Sequence, residues 1–245
     1  MNLETASYLY RHPKLYEQLQ ADIEHTTATL CTELIDTYGP DNSRTVLELG
    51  CGTGLDLAQL TTRFECTGID VQPGMVEHAR KHRPRLDIRI GDIRNFRLGR
   101  TVDALVSVGL VLSYLHDEAD IHAALRTCAL HAHPDTLLVL HTLVAPVEQS
   151  GPTSYYVETE ELHAAVTVHY QWDTCRQINT MHRHWAFDDG TEATDRIERR
   201  VLFPRELEQY LHVAGFDVLE IFDYPTTATG SVTGPAVFVA ARYTG

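Results

Sequence analysis

The sequence predicts an α/β fold, a Rossmann-like, doubly wound and mostly parallel sheet of seven strands with helices on both faces. Three observations carry that expectation. Between Val46 and about Val144, short apolar runs alternate with stretches of helical periodicity. The first run, Val46-Leu47-Glu48-Leu49, enters a turn with glycine at every second position, Gly50, Gly52 and Gly54. Glycine there lets the backbone turn sharply and lets a ligand come close. A second run, Cys66–Asp70, ends on an acid twenty residues after Gly50, where a βαβ unit places a carboxylate against ribose hydroxyls.

In chain order, residues 1–45 read as helical, because Leu9, Leu15, Leu19, Ile23, Leu30, Leu34 and Ile35 recur every three to four positions or multiples of that. Gly39-Pro40 stops the pattern. Tyr8, Tyr10 and Tyr16 crowd its start, either as half-buried packing residues or as part of a wall over a ligand. Strands follow at 46–50, 66–70, 87–91, 102–107 and 136–142, with helices at 55–63, 73–82 and 118–132. In such a sheet, ligands lie at the carboxyl ends of the strands, where the strand order reverses.

From about Val147 the pattern changes. Val166–Trp172, Gln177–Phe187 and Ala193–Phe203 alternate as three β runs separated by short turns. Gln177, Asn179, Met181, Arg183 and Trp185 share one face of the second run, opposite His182 and His184. The expectation is an antiparallel sheet inserted into the fold. A helix follows with Pro204 at its first position and Gly215 as its stop, and strands at 216–222 and 236–242 complete the large sheet. The divisions are 1–45 as an N-terminal helical lid, 46–147 as the core, 148–203 as the inserted sheet on the substrate side, and 204–245 as the closing helix and strands.

Composition narrows the function. The chain has 245 residues, a formal net charge of −14 and 43% hydrophobic residues, which suits a packed globular enzyme and no nucleic-acid surface. Nothing approaches the ~20 apolar residues of a membrane span, and the N-terminus lacks a signal pattern. Five scattered cysteines without a C-x-x-C pair suggest reduced thiols and a cytoplasmic location. His182 and His184 share a strand face at ligand spacing, but no further donors complete a set, so no metal is expected.

The glycine spacing speaks on the cofactor. A dinucleotide fingerprint is G-x-G-x-x-G, whereas Glu48-x-Gly50-x-Gly52-x-Gly54 alternates. This run resembles the first motif of class I S-adenosylmethionine (SAM) methyltransferases. The resemblance implies SAM as cofactor, S-adenosylhomocysteine as product, and a site formed by Glu48, Gly50, Cys51, Gly52, Asp70, Val71, Met75, Gly91, Asp92, Ile93, Ser107 and Val108. Asp92 would then meet the adenine amino group, and Met75 would cover the ring. Met75 also reads as a core residue, and Asp92 as a turn aspartate.

The layout is further similar to small natural-product N-methyltransferases, in particular those that dimethylate the amino group of nucleotide-linked deoxyaminosugars. The run Gly91-Asp92-Ile93-Arg94-Asn95-Phe96-Arg97-Leu98-Gly99-Arg100 and the Leu202-Phe203-Pro204 turn carry that resemblance. It implies a small amine acceptor faced by Tyr10. The chain departs from the family at His141, where the fifth strand of those enzymes ends in glutamate, and in the loop Gly109-Leu110-Val111-Leu112. Tyr10, Tyr114 and His141 are the expected catalytic residues, with His141 able to accept a proton. Tyr16, His116, Arg183 and Trp185 are expected to contact substrate. O- or C-methylation with His141 as base stays open, as do a non-catalytic SAM-binding protein, a nicotinamide-dependent enzyme, and a homo-oligomer formed through the inserted sheet.

Overall fold

The computed structural model describes residues 7–159 and 162–245; the first six residues of the expected lid lie outside the described residues. A seven-stranded sheet has the spatial order β3-β2-β1-β4-β5-β11-β10. Its strands are β1 (Thr45–Leu49), β2 (Glu65–Asp70), β3 (Asp87–Ile90), β4 (Val102–Ser107), β5 (Ala132–Leu143), β10 (Phe216–Asp223) and β11 (Ala236–Tyr243). The first five pair in parallel, and β11 runs antiparallel to both β5 and β10. Strand order reverses between β1 and β4, so the carboxyl ends of these two strands open the crevice in which such sheets bind ligands.

Strand alternation divides the core into two layers. Leu47, Leu49, Leu105, Leu138, Leu140, Val237 and Val239 point to one face, under α4 (Glu118–Leu130) and α5 (Pro204–Val213). Val46, Ala104, Val106, Leu137, Val139, Phe238 and Ala240 point to the other, under α1 (Pro13–Tyr38), α2 (Leu55–Leu60) and α3 (Pro73–His82). Glu48 lies between Leu47 and Leu49 and therefore faces the second layer, a carboxylate turned into the apolar side.

The stretch expected as a lid divides in two. Ala28, Cys31, Leu34 and Ile35 of α1 are buried in the sheet's second layer, so the second half of that helix is core. Leu9, in a 3-10 turn at Leu9–Arg11, and Leu15, near the start of α1, instead join an apolar cluster of the second sheet with Val166, Val168, Ile197 and Trp185. The backbone N–H of Tyr8 donates to Asp195 of that same sheet.

The second sheet is antiparallel, in the order β6 (Thr153–Glu158), β7 (His163–Asp173), β8 (Ile178–Phe187) and β9 (Glu192–Arg200). Its first strand is absent from the sequence reading. β6 is an edge strand in which only Val157 is buried, so it lacks the alternation that marks the other three. Among the described residues, no helix is long and apolar enough to cross a membrane. His182 stacks on His169 at 4.6 Å between ring centroids, and His184 faces Glu192 at 3.3 Å.

Candidate active site

The carboxyl ends of β1, β2, β3 and β4 surround a cavity of about 380 Å³, closed by the N-terminal tyrosines. That volume falls in the ~300–1,000 Å³ range of small-molecule sites. The turn after β1 forms its floor. Gly50 has φ +87° and lies against Val111, so any side chain there would collide with Val111. Gly52 has φ +52° and also lines the cavity.

Asp70 ends β2 at the cavity wall. One carboxylate oxygen accepts the Gly52 N–H at 2.9 Å and the other accepts the Gln72 N–H at 2.8 Å. A carboxylate has about four acceptor positions, and the backbone of Val71 takes part as well, so acceptor capacity remains for a ribose hydroxyl. Asp92 stands across the cavity after β3. Arg94 holds it by a 2.6 Å ion pair and bridges to Asp120 at 2.8 Å. Hydrogen bonding from Arg94 holds the Asp92 carboxyl below its usual range, so Asp92 remains an acceptor.

Behind the glycine turn lies a buried acidic group. Glu48 is 1% exposed and Asp56, in the first turn of α2, is 8% exposed; each has a side-chain oxygen without a hydrogen-bond partner. Glu24 of α1 bonds Tyr16 of the cavity wall. Burial, and then mutual repulsion among these carboxylates, raises Glu48 to about 8. Burial raises Glu24 to about 7 and pushes Asp56 well up. The helix start that would greet a phosphate already carries a buried acid. Raised in this way, the three carboxyls hold their protons near neutral pH in the ligand-free protein, and a cationic ligand would favour their ionisation whereas a pyrophosphate would oppose it.

At the opposite end, the hydroxyls of Tyr10 and Tyr114 meet at 2.7 Å, and the Tyr16 ring lies 6.0 Å from that of Tyr10. Burial, and then the neighbouring Tyr114, holds Tyr10 well above the ordinary phenol range, so it stays protonated. Behind this pair, an Nη of Arg199 on β9 donates to the Tyr114 hydroxyl at 3.3 Å.

The structure brings Tyr10, Tyr16, Gly50, Gly52, Asp70, Val71, Met75, Asp92, Ile93, Val108 and Tyr114 together around one cavity. Four expected cofactor residues sit beneath it instead. Glu48 belongs to the acidic group just described, and the Ser107 hydroxyl donates to the Leu49 carbonyl at 3.3 Å. Cys51 packs against Gly68, while Gly91 leaves room for the Phe96 ring.

The substrate expectations need correction at three positions. Trp185 is fully buried, and its indole N–H donates to Asp195 at 3.0 Å. Arg183 pairs with the same carboxylate at 2.6 Å. Both therefore hold the inserted sheet together. His116 turns to the Glu198 carbonyl at 3.2 Å, away from the cavity lining. His141 is corrected as a base: it lies at the carboxyl end of β5, stacks on Tyr224 at 4.2 Å, and has no partner on either ring nitrogen. Burial, and then the nearby positive charge of Arg199, depresses it to about 3, so its affinity for a proton near neutral pH is small.

Sequence reasoning missed Gln72, Pro73, Arg94, Leu115 and Asp120 in the lining, and Arg199 behind it. Arg94 follows Asp92 by two residues, a spacing that could have been read as a partner for the turn aspartate. Arg199 sits in the run Asp195-Arg196-Ile197-Glu198-Arg199-Arg200, whose charge density resembles a solvated surface.

Comparison with known proteins agrees with this geometry. A family model described as a methyltransferase domain matches residues 46–135. A dTDP-3-amino-3,4,6-trideoxy-alpha-D-glucopyranose N,N-dimethyltransferase of Streptomyces venezuelae is 34% identical over 109 residues, 44% of this chain and 46% of that protein. A trans-aconitate 2-methyltransferase of Escherichia coli (strain 55989 / EAEC) is 26% identical over 257 residues, 95% of this chain and 98% of its own length. The chain spans about half the length of the first curated relatives it matches. The SAM-bound structure of CalS10, an amino pentose methyltransferase from Micromonospora echinaspora, shares the fold with a TM-score of 0.75 at 23% identity, covering 90% of each chain. The alternating glycine turn and the acid at the end of β2 both lie within residues 46–135, the stretch that matches the methyltransferase domain model.

Proposed function

We propose that this protein transfers a methyl group from SAM to a small-molecule acceptor, and that the acceptor atom is an amine nitrogen. SAM supplies a methyl carbon on a sulfonium, which needs no electrophilic help from the protein. The residues would then bind and orient. Asp70 accepts from the ribose, Asp92 and Ile93 meet the adenine, and the carboxyls behind Gly50 can give up their protons against the cationic end of the molecule. Tyr10, Tyr16 and Tyr114 wall the remaining space, exclude water and hold the acceptor in line.

The observation that carries the nitrogen reading is the state of the groups at the tyrosine end. Tyr10 is held protonated and His141 binds a proton only in acid. A hydroxyl or carbon acceptor needs a base poised near the working pH; a neutral amine is nucleophilic without one. A carboxylate oxygen also reacts without a base. Arg199 favours that second reading, as does the similarity to trans-aconitate methyltransferases over nearly the whole chain.

The test is calorimetry with S-adenosylhomocysteine and, separately, NADH, followed by turnover with a dTDP-linked aminosugar and with trans-aconitate, read by mass spectrometry. The proposal expects heat with the first ligand only and a methylated aminosugar. Methylated trans-aconitate alone would establish the carboxylate reading, and heat with NADH alone would end both.

A further inference from the structure

Arg199 is anomalous within its own sheet. The neighbouring buried arginines are neutralised by carboxylates, Arg183 by Asp195 at 2.6 Å and Arg200 by Glu206 at 2.7 Å. Among the described residues, Arg199 has no carboxylate partner, and its Nε is buried without any hydrogen-bond acceptor. The groups around its charge are the phenols of Tyr114, Tyr10 and Tyr170, and its guanidinium carbon lies 5.5 Å from the Tyr114 ring centroid. Arg199 is half-buried as a residue, but its Nε is enclosed without an acceptor, and a charge desolvated there without a counter-ion is costly unless a ligand neutralises it.

Proton counting at the tyrosine pair leads to the same place. Tyr114 accepts from Arg199 at 3.3 Å, and the Tyr10 and Tyr114 hydroxyls share one hydrogen bond at 2.7 Å. That bond uses one of the two hydroxyl protons and leaves the other to be donated. Directly behind the cavity wall at Tyr114 there is therefore a surplus of donors, the guanidinium and one phenol O–H, and a positive charge that no carboxylate among the described residues answers.

We propose that Arg199 is the recognition point for an oxyanion, carboxylate or phosphate, carried by the methyl acceptor. The guanidinium offers a planar fork that suits either group, and Tyr114, which already accepts from that fork, is the residue the anion displaces or joins. The inference rests on the methyltransferase reading and extends it: the acceptor is anionic whichever atom receives the methyl group. With a phosphate the anion lies remote from the nucleophile; with a carboxylate it is the nucleophile or its neighbour.

The experiment uses the full chain saturated with S-adenosylhomocysteine. Thymidine diphosphate and trans-aconitate are titrated separately by calorimetry into wild type, Arg199→Gln and Arg199→Lys. Wild type should bind one of the two, and which one identifies phosphate or carboxylate as the source. Affinity should fall roughly tenfold or more in Arg199→Gln, the loss expected for a charge-assisted pair, and by less in Arg199→Lys, which keeps the charge without the fork. Equal binding by wild type and Arg199→Gln would overturn the proposal. So would binding of neither anion by wild type at millimolar concentration while S-adenosylhomocysteine still binds. Failure of S-adenosylhomocysteine itself to bind wild type would instead remove the cofactor reading. Since no ion pair is broken, Arg199→Gln should fold; Arg199→Lys carries the test if it does not.

Discussion

The two ends of the cavity are built on opposite plans. The end beneath Gly50 and Asp70 is made by backbone: four strand termini, two left-handed glycines, and a carboxylate oriented by two N–H groups. The end beneath Tyr10 and Tyr114 is made by side chains from two separated stretches, with an arginine on the inserted sheet behind them. The first is backed by buried carboxyls that hold their protons, the second by a positive charge without a carboxylate partner among the described residues. The difference teaches where each end can change. A backbone-built site tolerates few substitutions and serves one ligand, whereas a side-chain wall can be retuned for new acceptors on an unchanged fold.

The largest expected effect breaks the support of the side-chain end. Asp195→Ala leaves Arg183 buried without a counter-charge and removes the acceptor of the Trp185 N–H. Losing one partner of a buried pair costs about 3–5 kcal/mol, and thermal unfolding should shift down by roughly 10 °C. A shift within 2 °C would show that this network does not hold the sheet. Next in size, Asp70→Ala removes the carboxylate of the backbone-built end. S-adenosylhomocysteine affinity should fall on the order of 100-fold, the scale of two hydrogen bonds to a charged group, with little change in melting temperature. Retained affinity would move the ribose site elsewhere.

A smaller effect reads the buried carboxyls behind Gly50 directly. Glu24 and Glu48 lie at about 7 and about 8 in the folded protein, raised from 4.5 mainly by burial. Between these limits the native state holds protons that the unfolded chain has released. Stability contributed by the protonated forms is therefore full below pH 4.5 and is lost as pH rises towards 8. The melting temperature of the ligand-free protein should fall by several degrees from pH 5 to pH 8.5, and Glu48→Gln should flatten that slope. An unchanged slope in the variant would show that Glu48 is ionised throughout. The smallest effect concerns His141, whose depression to about 3 means that His141→Gln should alter kcat without moving the pH profile between 6 and 9. A lost ionisation near 6.5 would restore it as a base.

Legibility follows the same division. Alternating glycines, an acid at a strand end and apolar runs are local patterns, and the backbone-built end rests on them, so Gly50, Gly52, Asp70 and Asp92 stand in the sequence in the order in which they surround the cavity. The large sheet was readable for the same reason. β6 was not, because an edge strand with one buried residue has no period to detect. On β8, alternation correctly grouped Arg183 with Trp185, but a shared face does not say which cavity it looks into, and Asp195 had already claimed both. Arg199 and His141 owe their roles to desolvation by residues far away in the chain, which no local pattern encodes.

The dozen residues that carry Tyr10 and Tyr16 to the cavity also press Leu9 and Leu15 onto the second sheet. One ribbon thus serves as doorway to one chamber and as roof to another. Any displacement of this ribbon would bare Leu9, Leu15 and their apolar partners on the second sheet together with the cavity, so hydrophobic burial outside the chamber holds its wall in place.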